Sequence, residues 1–143
     1  MKSILMFISY PPALKILCVR VLLLAVYYKL LIKFRKFSSI AGRLGTQGKV
    51  TPEEPLSEEQ RKQMLQLQRA IRAVVPRLHL SNECLVCAFI VKRILRDTPL
   101  TIYMGVAKKK NGGMRAHAWT RVGDMIITGE GGRERFTVTA TFA

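Results

Sequence analysis

The apolar pattern of this chain changes period once, at Leu100, and that change restricts the fold more than any other feature. Before it, apolar residues recur at helical spacing. After it, Leu100, Ile102, Met104 and Val106 alternate as in a strand. Asn111-Gly112 then supplies a hairpin turn and Met114 to Val122 a return strand. Gly123-Asp124 makes a second tight turn, followed by strands at Met125 to Thr128 and Phe136 to Phe142. Helices followed by a run of antiparallel strands specify an α+β fold rather than a parallel α/β one. With 143 residues, 49% of them apolar, the chain can bury a core without disulfide or metal staples.

The helical half contains two well-marked helices. Ser57 starts the first, with Gln60 three residues on completing a capping box. Met64, Leu65, Ile71, Val74, Val75 and Leu78 form its apolar stripe, and Pro76 ends it or kinks its last turn. Ser81 or Asn82 caps the second helix, Glu83 to about Arg96, which Asp97-Thr98-Pro99 stops. That helix is apolar almost all round, so it belongs at the centre of its domain.

Upstream the composition is different. Residues 1–45 form a basic, apolar arm, 46–55 a linker broken by glycine and proline, and 56–143 the compact domain. The formal net charge is +15. Nine Lys and Arg, but no Asp or Glu, precede Glu53. Such an arm attracts an acidic protein, an anionic membrane surface or nucleic acid. Lys15, Arg20 and Lys29 interrupt Ala13 to Ile32, so no membrane span is expected, and no small-residue cleavage site marks a signal peptide. One or two helices after Pro12 are expected, docked on the domain, on a partner or in a membrane interface. The strands carry no basic residues interleaved with aromatics, so nucleic acid is not expected as a partner.

The chemistry centres on few residues. Three cysteines, Cys18, Cys84 and Cys87, form no disulfide framework, which points to a reducing, cytoplasmic setting with peripheral membrane contact open to the arm. Cys84 falls in the first turn of the apolar helix, where free amides and the helix dipole favour a thiolate and an oxyanion. Read more simply, it is a small buried residue. Cys87 lies a turn deeper and reads as structural. His117 sits mid-strand with Arg115 and Trp119 on its face, and with Cys84 it makes a minimal nucleophile–base pair. His79 reads as a loop residue. If Gly123-Asp124 is a two-residue turn and the hairpin is unbulged, Glu130 lies opposite His117 and Asp124 roughly 15–20 Å away. A bulge at Gly129, Gly131 and Gly132 would undo that register. Two other readings use the same residues: a redox C-x-x-C pair at Cys84 and Cys87, or zinc held by His79, Cys84, Cys87 and His117.

Several motifs in order carry a resemblance. Cys84-Leu85-Val86, Tyr103-Met104-Gly105-Val106, Arg115-Ala116-His117-Ala118-Trp119 and Arg135-Phe136-Thr137 resemble the leader peptidases of lasso peptide biosynthesis, a branch of the transglutaminase-like cysteine peptidases. The resemblance covers about Leu56 to Phe142, and Gly42-Arg43-Leu44-Gly45 is similar to that family's N-terminal region. It implies a transglutaminase-like, papain-like core and a triad of Cys84, His117 and an acid, with Glu130 where the family has an aspartate. It also implies removal of a leader peptide from a lasso precursor, after which an ATP-dependent cyclase closes the core. No ATP, metal or other cofactor is implied for this chain. The leader is expected to be held by a separate winged-helix protein, since a chain of this length leaves no room for that module. The basic arm is then expected to dock that partner, with membrane contact secondary.

Overall fold

The computed structural model describes residues 7–143, so Met1 to Met6 of the arm lie outside the described residues. Helix α1 spans Pro12–Phe34 and opens on a proline that fits the first helical turn, where its missing N–H costs nothing. Its buried residues, Leu14, Cys18, Val21, Ala25 and Tyr28, recur every three or four positions and form one stripe. That stripe packs against α3 (Glu58–Val74) and α4 (Glu83–Ile94), with Tyr28 stacked on Phe89 at 4.9 Å between ring centroids. Of the surroundings open to the arm, the structure places α1 on the domain itself. No helix among the described residues is long and apolar enough to cross a membrane. A short α2 (Phe37–Ile40) and a 3-10 turn (Ala41–Leu44) add Ile40 and Leu44 to the same core.

Helix α3 begins with both halves of the expected capping box, Ser57 Oγ accepting from Gln60 N and Gln60 Oε1 accepting from Ser57 N. Its buried face differs in detail from the expected stripe. Leu65 is exposed, while Leu67 and Gln68 point inward beside Met64 and Ile71. Pro76 lies in a 3-10 turn (Val75–Leu78) that ends at His79, in the left-handed region at φ 47°. Helix α4 stops at Ile94, two residues before the expected end, and Asn82 makes no side-chain cap. Val86 to Val91 are all buried, as an all-round apolar helix requires.

Four antiparallel strands follow: β1 (Thr101–Lys108), β2 (Met114–Val122), β3 (Met125–Thr128) and β4 (Thr137–Phe142), in the order β3-β2-β1-β4. The architecture is the expected α+β fold, with helices first and an antiparallel sheet last. Strand alternation divides the sheet into two faces. Ile102, Ala118 and Phe142 share a core with Cys87, Ala88 and Val91 of α4. On the other face Tyr103 stacks on Trp119 at 5.6 Å, and Trp119 lies 5.9 Å from His117.

Residues 46–56 are strapped along the sheet rather than left free. Thr46 and Ala143 exchange backbone hydrogen bonds of 2.7 and 3.2 Å, and Gly48 N donates to Thr141 O. Gly45, at φ 123°, permits this approach, because a Cβ there would overlap the Ala143 carbonyl. Further on, the buried Arg121 guanidinium donates to the carbonyls of Thr51, Pro52 and Gly123 and to the Tyr103 hydroxyl. Its charge is met by Glu53 at 3.5 Å. A buried cation satisfied on all sides ties the strap to β1 and β2.

Candidate active site

The site is organised by an irregularity between β2 and β3. Val122 pairs with Met125 and Arg121 with Ile126, as a two-residue Gly123-Asp124 turn demands, but Thr120 pairs with Thr128. Ile127 is therefore an extra residue, and the register expected for an unbulged hairpin is displaced by one. Extending the shifted pairing puts Gly131, not Glu130, across from His117. The bulge is supported from outside the hairpin. Gln68 of α3 donates its side-chain amide to the carbonyls of Ile126 and Ile127 at 2.9 and 3.1 Å, satisfying groups that the bulge turns away from the ladder.

Beyond the bulge the chain turns through Gly129 at φ 74°, and the Gly129 carbonyl lies 2.7 Å from His117 Nε2. A carbonyl only accepts, so Nε2 carries the proton and neutral His117 keeps its lone pair on Nδ1. Glycine is required here on two counts. The backbone angle disfavours other residues, and a Cβ would overlap Ala118 O while standing 2.8 Å from Trp119 Cα. The imidazole is half-buried and framed by Trp119 and by Phe136, 4.9 Å away.

Glu130 is exposed and makes no side-chain hydrogen bond to His117. It lines a cavity of about 290 Å³ with Gln68, Arg72, Glu83, Cys87 and Gly129. Asp124 lies in the turn and is committed elsewhere. Arg61 Nη2 reaches it at 2.7 Å, Leu56 N donates to it, and these partners hold its carboxyl below the usual carboxylate range.

Cys84 is half-buried in the first turn of α4. Cys87, one turn on, is buried, and burial, with Glu83 and Cys84 adding to it, pushes its thiol up to about 12. It stays a neutral thiol at any ordinary pH, as a packing residue does. Among the described residues no hydrogen bond joins the Cys84 thiol to His117. The Gly129–Gly131 loop neighbours both elements: its first carbonyl holds His117, and it lines the same cavity as Glu83 and Cys87. His79 is exposed in its turn. No group of three or more His, Cys, Asp or Glu among the described residues is placed to hold a metal ion, so the zinc set suggested by sequence is not assembled.

Two features escaped the sequence. The Gly129 carbonyl is a backbone atom, signalled only by the glycine cluster. The second is a larger cavity of about 550 Å³ on the open side of His117, bordered by Lys108, Lys109, Lys110, Arg115 and Arg135.

A central helix opening on a cysteine thus lies beside an antiparallel sheet that bears the histidine and an irregular third strand. A protein-family model described as the transglutaminase-like superfamily matches residues 24–141. The chain belongs to that superfamily. No curated protein and no solved structure gives a match.

Proposed function

We propose that this chain is a cysteine peptidase that removes the leader from a lasso peptide precursor, with Cys84 as nucleophile and His117 as base. The observation that carries the reading is the 2.7 Å bond between His117 Nε2 and Gly129 O, in a chain of this superfamily. It leaves Nδ1 as the proton acceptor and gives the imidazolium a polar partner once formed. Nδ1 takes the Cys84 proton, and the thiolate adds to the scissile carbonyl. Free amides in the first turn of α4 stabilise the oxyanion. His117 then passes its proton to the leaving amine, and water, deprotonated by His117, releases the acyl group from sulfur. In this scheme the Gly129 carbonyl serves where a side-chain acid serves in related enzymes, and Glu130 contributes negative charge one residue away.

The chemistry needs Cys84 Sγ and His117 Nδ1 in contact. The glycine-rich 129–132 loop is the element whose movement on substrate binding brings them together. A separate winged-helix protein presents the leader, and an ATP-dependent cyclase takes the released core. The three free cysteines suit a cytoplasmic setting. The lack of a Cys84–His117 hydrogen bond favours one other reading, a transglutaminase-like module that binds peptide without cutting it.

The test combines this protein with the precursor and the leader-binding protein and weighs the products. Leader release is expected, with loss of release in Cys84→Ala and in His117→Ala while precursor binding persists. Release by Cys84→Ala would end the peptidase reading. Binding without release by the native chain would establish the other one.

A further inference from the structure

We infer that the cavity beside His117 is a subsite for an acidic peptide segment, so that the substrate carries Asp or Glu next to its scissile bond. This deepens the peptidase reading and rests on it for the word substrate, although the binding itself does not. The cavity, about 550 Å³, is bordered by the β1–β2 hairpin with Lys108, Lys109 and Lys110, by Arg115 on β2, and by Arg135 and Phe136 before β4. Five of its lining residues are cationic and none is acidic. Among the described residues Lys108, Lys109, Lys110 and Arg115 belong to no ion pair, and Arg135 reaches only its exposed neighbour Glu134, at 3.8 Å.

These cations are positioned, not merely numerous. The Arg115 guanidinium lies over the Phe136 ring at 5.9 Å from its centroid, and the same ring lies 4.9 Å from His117. A carboxylate received by Arg115 therefore sits one aromatic ring away from the base. Arg135 is folded over Gly132, close enough that a Cβ there would meet its Nη2 at 2.9 Å. The Lys109 stem lies along Gly113, across a hairpin closed by the Lys109 N to Gly113 O bond of 2.6 Å. Both guanidinium groups are exposed, and their planar forks can donate paired hydrogen bonds to an incoming carboxylate. A peptide is favoured over nucleic acid because the aromatic floor is narrow and already occupied. His117 contacts both Phe136 and Trp119, and Phe136 is the one Phe, Tyr or Trp among the residues lining the cavity, so the cavity offers no ring series on which successive bases could stack.

The experiment measures binding by fluorescence anisotropy on the full chain. The probes are a short fluorescein-labelled peptide rich in Glu, its Gln counterpart and a single-stranded oligonucleotide of equal charge. One variant carries Lys108→Gln, Lys109→Gln, Lys110→Gln and Arg115→Gln. A second removes as much charge from the arm through Lys29→Gln, Lys33→Gln, Arg35→Gln and Lys36→Gln. The Glu peptide is expected to bind about tenfold or more tighter than the Gln peptide. The cavity variant should lose about that factor, and the arm variant less than about threefold. Equal losses in the two variants, equal affinity for the two peptides, or tighter binding of the oligonucleotide would each overturn the subsite. No turnover is read, so failure of the peptidase reading, seen as leader release by Cys84→Ala, stays separate from failure of this one.

Discussion

Gly129→Ala tests the arrangement around His117 most directly, because the residue supplies only backbone. At φ 74° an L side chain costs roughly 1–2 kcal/mol. The added Cβ would also overlap Ala118 O and stand 2.8 Å from Trp119 Cα, so the loop must retreat by on the order of 1 Å. A bond of 2.7 Å does not survive such a shift within hydrogen-bond range. Its loss removes about 1 kcal/mol and leaves the imidazole free to turn and to change tautomer. The combined destabilisation of about 2–4 kcal/mol predicts a Tm lower by roughly 5–15 °C. Catalysis should suffer more than stability explains, with kcat down about 10²-fold at temperatures where the variant is folded.

Gly112→Ala is the control. Gly112 sits at φ 90° with open space around it, so it incurs the backbone cost without touching His117. Its expected signature is a lower Tm with leader release within about threefold of the native rate. Nitrogen NMR of labelled His117 reads the tautomer independently, Nε2-protonated in the native chain and mixed in Gly129→Ala. A native chain protonated on Nδ1, or equal rate losses in both glycine variants, would refute the proposed role of the carbonyl.

Other expectations follow from the same geometry. Iodoacetamide at neutral pH should label Cys84 in the folded chain and spare Cys87, whose thiol burial holds near 12; Cys87→Ala should keep its activity while losing stability. Because that thiol is raised when folded, its contribution is complete below the unfolded value near 9 and is lost as pH climbs towards 12, so Cys87→Ala should flatten the alkaline fall in Tm. Asp124→Asn should leave turnover alone and remove an acid-sensitive stabilisation. The lowered carboxyl contributes above the ordinary carboxylate pKa, and that contribution disappears as pH drops through its folded value, which melts between neutral and acidic pH would show. Glu130→Gln should change kcat/KM by less than about fivefold, since an exposed charge is well screened; a loss as large as that of Gly129→Ala would return the acid's role to Glu130.

The elements whose signals are local were legible in the sequence. Ser57 and Gln60 fix the start of α3 by bonding to each other's backbone, and turns at both ends confine β2 to Met114–Val122. The shift between β2 and β3 was not, because the side chain that supports it, Gln68, lies some sixty residues away and sets no local signal. Arg121 carries no local signal either. A cation on a strand reads as solvent-facing, yet it is the buried anchor of residues 51–53. In both cases one polar side chain satisfies backbone carbonyls of a distant segment, a relation that no periodicity encodes.

The arm shows how packing changes a test as well as a description. Deleting residues 1–45 would strip Leu14, Cys18, Val21, Ala25, Tyr28, Ile40 and Leu44 from the core, so lost activity would report collapse, not lost docking. The opposite face of α1 is the part free to meet a partner. Ile16, Leu23, Tyr27, Leu30 and Phe34 are exposed along it, with Arg20, Lys29 and Lys33 beside them. We expect an acidic face of the leader-binding protein to cover it, charge steering the encounter and apolar area holding it. Leu23→Glu adds a carboxylate where the side chain is 66% exposed, so Tm should hold within about 2 °C. Partner-dependent leader release should nevertheless fall about tenfold or more, and partner-free release stay unchanged. Val21→Glu, two residues away and fully buried, should instead unfold the chain. Equal partner-dependent and partner-free losses in a folded Leu23→Glu protein would mean that this face serves catalysis and not docking. No change in either would assign the face to another surface, an anionic bilayer being the next to try with sedimentation on acidic vesicles.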